Sequence, residues 1–122
     1  MIHERICALI HRHQPSVLVL EKIFTHHHYL TTAAKMGHAR GAACLAAQQY
    51  RIPVAEYAPT DVKKSLTGSG RASKEQVARM VSQWIHTTDP AWSMDATDAL
   101  ALAIAHAHVE HRRQTLPGAL VS

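Results

Sequence analysis

The chain has 122 residues, which fits one domain of ordinary size. Its apolar fraction of 47% suits a packed core, and aromatics at only 5% beside abundant Ala favour closely packed helices. A formal net charge of +4 admits a polyanionic partner without establishing one. No apolar run approaches the ~20 residues of a membrane span, and the N-terminus lacks a signal-peptide stretch. Cys7 and Cys44 form no C-x-x-C and read as small apolar residues of a reducing compartment, so a cytoplasmic chain without membrane contact is expected.

Residues 2–13 carry a helical pattern, with Ile2, Ile6, Leu9 and Ile10 on one face, and Pro15 ends it. Ser16–Glu21 is a short apolar run of branched residues that predicts a strand buried on both faces, as in a parallel sheet. Residues 22–30 read as a loop or an irregular helix entrance. Thr31 or Thr32 can cap a helix reaching about Tyr50. This helix is full of small residues, and Gly37 and Gly41 predict close approach of a neighbour. Pro53–Tyr57 is a second strand, and strand–helix–strand with so long a connection implies a parallel crossover.

A short helix is expected at 60–66, closing at Gly68, followed by a flexible basic loop, Thr67–Ala72. Ser73 caps a helix over 74–86, with Gln76 completing a capping box. Residues 87–94 form a loop with Pro90. The last helix runs from about Asp95 to Arg113, and a loose tail follows at 114–122. Two short strands make a poor sheet, so the pattern reads as part of an α/β sheet with an exposed apolar edge.

Asp95-Ala-Thr-Asp98 opens a helix that is apolar almost all round. Residues at i and i+3 share a face, so this carboxylate pair predicts either helix caps or ligands for a hard cation. Glu21 ends the first strand, where parallel sheets place their sites. Converging with the two Asp residues, it would complete an oxygen-rich site suited to Mg²⁺ or Mn²⁺. Two such ions about 4 Å apart support phosphodiester cleavage. The plainer alternative is a solvated strand end and two carboxylates favoured by the helix dipole.

Lys63, Lys64, Arg71 and Lys74 flank the Gly68–Gly70 loop, as phosphate contacts or as a solvated charge run. The loop lacks P-loop spacing. Phe24, the only Phe, is a core anchor or a wedge between bases. His26–His28 lacks the partnered spacing of a zinc site and reads as a polar loop. His106 and His108 suit the cationic end of the last helix, beside Arg112 and Arg113, with a secondary site role open for His106.

Several blocks occur in order over roughly residues 5 to 110: Leu20-Glu21-Lys-Ile-Phe24, Ala34-Lys-Met-Gly-His-Ala-Arg-Gly41, Pro53-Val-Ala-Glu-Tyr57, Val62-Lys63, Gly68-x-Gly70-x-x-x-Lys74 and Asp95-Ala-Thr-Asp98-Ala-Leu-Ala. Together they resemble the bacterial RuvC Holliday junction resolvases of the RNase H-like superfamily.

The resemblance implies an α/β fold: a partial RNase H-like nuclease domain over 1–113, lacking the first three strands, with two short parallel strands and about five helices. It implies a Mg²⁺-dependent endonuclease, with Mn²⁺ as a substitute, that cuts four-way DNA junctions as a homodimer, in company with a branch-migration motor. On it, Glu21, Asp95 and Asp98 are catalytic metal ligands. Phe24, Lys63 and Lys74 engage DNA, with Arg71 of the basic loop expected beside them, and the small-residue helix 33–49 helps form the dimer. The family's opening strand, Gly-Ile-Asp-x-Gly, has no counterpart here, so impaired cleavage and marginal stability are expected. The rivals are a shortened, non-catalytic module that binds branched DNA or a resolvase subunit, and a His-rich metal-handling protein.

Overall fold

A computed structural model describes residues 1–22, 30–86 and 93–115, with 30–34 described for the backbone alone. The order is α1 (Ile2–His13), β1 (Leu18–Glu21), α2 (Leu30–Gln49), β2 (Val54–Tyr57), α3 (Pro59–Thr67), α4 (Lys74–Ile85) and α5 (Met94–Thr115). These divide into two compact units, Met1–Glu56 and Tyr57–Ser122. Among the described residues, no helix is long and apolar enough to cross a membrane.

In the first unit α1 packs on α2. Ala43, Ala46 and Ala47, at helical spacing, are buried with Ile10 of α1, so the contact is made by small side chains that let two backbones approach. Of the expected apolar face of α1, Ile6 is half-buried while Ile2 and Leu9 are exposed. Gln14, left-handed with φ 48°, ends α1 just before Pro15. His3 Nε2 lies 2.7 Å from Gln49 Oε1, and Cys7 and Cys44 are free, half-buried thiols.

β1 and β2 form a two-stranded parallel sheet, entered by a bond from the Leu18 amide to the Pro53 carbonyl at 2.9 Å. β1 is half-buried over Leu18–Leu20 rather than buried on both faces; among the described residues it pairs with one strand, β2. Nothing lies within 4 Å of a Cβ built on Gly37 or Gly41, so the expected close approach there is absent among the described residues. Small residues in α2 serve the α1 contact through the alanines instead.

In the second unit, α3, α4 and α5 surround a cluster of Val62, Leu66, Val81, Ala101 and Ala105. Tyr57, Val77, Met80, Ile85, Leu100, Leu102 and Ile104 pack around it. The expected stop at Gly68 and start at Ser73 are both present. Gly68 closes α3 at φ 87° with its amide on the Lys64 carbonyl. Ser73 Oγ accepts from the Gln76 amide at 3.1 Å, and Gln76 Oε1 accepts from the Ser73 amide at 2.8 Å. α5 is not buried all round: Ala101 and Ala105 face the core while Ala99, Ala103 and Ala107 are exposed. Alanine tolerates either side, so an Ala-rich helix reads as more buried than it is.

Candidate active site

Glu21 is the last residue of β1 and its side chain is exposed. The strand end is tied down through its backbone. Arg40 Nη1, from α2, donates to the Glu21 main-chain carbonyl at 2.8 Å, and Arg40 Nη2 pairs with Glu56 Oε2 on β2. A planar guanidinium offers parallel N–H groups in fixed geometry, so one side chain spans both strands. In the sequence Arg40 is an ordinary helix residue within the Ala34–Gly41 block. Its partners lie 19 and 16 positions away, and no local spacing announces them.

Asp95 and Asp98 sit in the opening turns of α5, both exposed and on one face. The cap is Ser93, not either Asp. Its Oγ accepts from the Ala96 amide at 3.1 Å, and its carbonyl accepts from the Thr97 amide at 3.1 Å and the Thr97 hydroxyl at 3.2 Å. With the helix start satisfied by Ser93, the two carboxylates are not consumed in capping. Ser93 was legible in principle as a capping residue type, but Ala at the third helical position gives no capping box to mark it.

Exposed carboxylate oxygens are the donors a hard divalent cation takes. Within neither unit do three or more His, Cys, Asp or Glu side chains of the described residues gather to hold a metal. Glu21 and, separately, the Asp95–Asp98 pair offer exposed carboxylate oxygens, a donor chemistry that fits Mg²⁺ or Mn²⁺.

The basic loop is ordered by its own hydroxyls. Thr67 Oγ1 donates to the Lys63 carbonyl at 2.7 Å and accepts from the Ser69 amide at 3.1 Å, and Ser69 Oγ accepts from the Arg71 amide at 3.2 Å. The expectation of a flexible loop missed these bonds, which Ser and Thr offer readily to nearby backbone. Lys63 is half-buried on α3, Arg71 is exposed, and Lys74 is exposed at the first position of α4. A cation there opposes the helix dipole, so α4 gains nothing from it and the charge is available to an anion.

His106 is absorbed by packing: its Nδ1 lies 2.7 Å from the Tyr57 hydroxyl. Burial raises the Tyr57 pKa above 10.0, the Glu110 charge raises it further, and Arg113 opposes them. The His108 ring packs tilted against Trp84, 59° between planes and 4.5 Å between ring centroids. Both His residues lie on the C-terminal half of α5, as expected, and these contacts pack them there. Phe24 and His26–His28 lie outside the described residues.

A family model described as crossover junction endodeoxyribonuclease RuvC matches residues 1–106. The chain belongs to the RuvC family. It is 47% identical over 119 residues to the RuvC of Halorhodospira halophila, covering 97% of this chain and 68% of that one. Identity to the RuvC of Bradyrhizobium diazoefficiens is 43%, over 93% of this chain and 63% of that one. Among solved structures, Thermus thermophilus RuvC in complex with Holliday junction substrate superposes with a TM-score of 0.83 at 36% identity, over 89% of this chain and 66% of that one. The partial RNase H-like reading is thus the fold of the RuvC chain. The chain spans about two thirds of the length of the RuvC relatives it matches.

Proposed function

We propose that this RuvC chain acts on four-way DNA junctions as a Mg²⁺-dependent endonuclease, with Mn²⁺ able to substitute. The observation that carries the reading is the division of labour at the start of α5. Ser93 caps the helix, leaving Asp95 and Asp98 exposed on one face at the place where the family resemblance puts metal ligands. Glu21, at the end of β1, is the third ligand. When bound, the metal supplies an activated water for phosphodiester hydrolysis and charge stabilisation at the leaving oxygen. The side chains of Lys63, Arg71 and Lys74 position and neutralise phosphate, and Phe24 engages the junction. The protein works as a homodimer, with α2 in the contact, and alongside a branch-migration motor. A nuclease domain over 1–113 with a tail at 114–122 suits this reading.

A non-catalytic junction-binding module is the second reading, since the exposed Arg71 and Lys74 serve DNA binding without cleavage. The test offers the purified chain a synthetic four-way junction and a matched linear duplex, with Mg²⁺ and then Mn²⁺. Preferential junction binding, with nicking that needs the metal and is lost in Glu21→Gln, Asp95→Asn and Asp98→Asn, is expected. Junction preference without nicking in either metal establishes the second reading. Equal affinity for both DNAs overturns both.

A further inference from the structure

We propose that Arg40 is a positioning residue that holds Glu21 in place for metal binding, by bridging the Glu21 main-chain carbonyl and the Glu56 carboxylate. The inference rests on the reading of Glu21 as a ligand and adds the residue that orients it.

The geometry makes Arg40 more than a surface ion pair. Its side chain is 22% exposed and that of Glu56 46%, so the pair alone contributes little to stability. What it adds is direction. Nη1 bonds the carbonyl of the very residue whose carboxylate is in question, while Nη2 is anchored on the neighbouring strand. The peptide plane after Glu21 is thereby fixed just where β1 ends and the sheet ladder can no longer fix it. Among the described residues β1 pairs with one strand, so its end has few other backbone restraints there. Both contacts are needed: the Glu56 pair sets the guanidinium plane, and the carbonyl bond transmits it to Glu21. Lysine keeps the charge but has no rigid fork, so it can satisfy one partner without fixing the other.

The measurement is Mn²⁺-induced broadening of backbone amide signals in the 122-residue chain, followed as a titration at Glu21, Lys22, Asp95 and Asp98. Wild type is compared with Arg40→Lys, Arg40→Ala and Glu56→Gln. In wild type, Mn²⁺ broadens all four amides. In both Arg40 variants the Mn²⁺ affinity read at all four amides is expected to fall about tenfold, the low end for losing a group that orients one ligand of shared ions. Glu56→Gln is expected to fall between wild type and Arg40→Ala.

A loss of structure would instead shift signals throughout α1 and α2, which the amides of Ile10 and Ala46 report. Glu56→Gln, which leaves Arg40 itself in place, then decides: wild-type broadening at Glu21 in that variant overturns the proposal. Full restoration by Arg40→Lys shows that charge alone suffices and also overturns it. Broadening at Glu21 unchanged in Arg40→Ala overturns the positioning role but leaves the metal reading standing. Wild type without broadening at Glu21, Asp95 or Asp98 sinks the metal reading itself, and the positioning role with it.

Discussion

The two ends of the proposed metal site are built by opposite means. Asp95 and Asp98 are presented by a helix whose start is fixed by Ser93, two residues before the first of them, so their placement is a local matter. Glu21 is fixed by Arg40 of α2 and Glu56 of β2, so its placement exists only once strand, helix and second strand have come together. Local presentation survives disturbance elsewhere in the chain. Non-local presentation makes the ligand hostage to the fold of its whole unit.

The same contrast separates the two units. The second has a side-chain core and capped helices; the first relies on alanine contacts and a two-stranded sheet. The largest effect should come from cutting that core. Leu66, 4% exposed, is expected to lose about 2–5 kcal/mol of stability on substitution by Ala, read by denaturant unfolding. Hydrogen exchange should place the loss in α3, α4 and α5. Loss of protection confined to α1 and α2 would break the division into units.

Gly68 and Gly37 sharpen the comparison next. Neither has anything within 4 Å of a built Cβ, so sterics do not separate them. Gly68 has φ 87°, so Gly68→Ala should cost about 1–2 kcal/mol in backbone strain. Gly37 is inside α2, so Gly37→Ala should stabilise that helix by about 0.5–1 kcal/mol. Paired thermal melts check both signs. Destabilisation by Gly37→Ala would reveal a contact on that face that the isolated chain does not show.

Ser93→Ala should cost about 1 kcal/mol at the start of α5. Helix-start exchange rates at Ala96 and Thr97 should rise, and the core should stay protected. If the loss vanishes, another group caps α5 and Asp95 becomes the candidate, which would weaken its role as a ligand.

The smallest effect concerns pH. The Tyr57 pKa is raised in the folded chain, so the neutral phenol is the form the fold favours. Its contribution is fully present below the ordinary value of 10.0 and is lost as pH rises through the folded value. Thermal midpoints of wild type should therefore decline above pH 10 more steeply than those of Tyr57→Phe, which has no proton to lose. Parallel declines would mean that burial of Tyr57 is immaterial.

Much of the fold was legible because its signals are local. Periodicity, Pro15, Gly68 and the Ser73–Gln76 box place the ends of α1, α3 and α4 to within a residue or so. The strands were legible as branched apolar runs, but not their degree of burial, which depends on how many strands stand beside them. The carboxylates stood out as unusual residues in apolar contexts. Arg40 did not, since an Arg inside a helix is ordinary until the fold supplies its partners. The His106 contact was hidden for the same reason: its partner Tyr57 lies 49 positions away.

The most direct test of the central claim is Mn²⁺ uptake by the chain, read from the free-ion electron paramagnetic resonance signal, for wild type and for Glu21→Gln, Asp95→Asn and Asp98→Asn. Saturable uptake by wild type, weakened about tenfold or more by each substitution, is expected if the three carboxylates share the ions. Uptake by all three variants equal to that of wild type would contradict it.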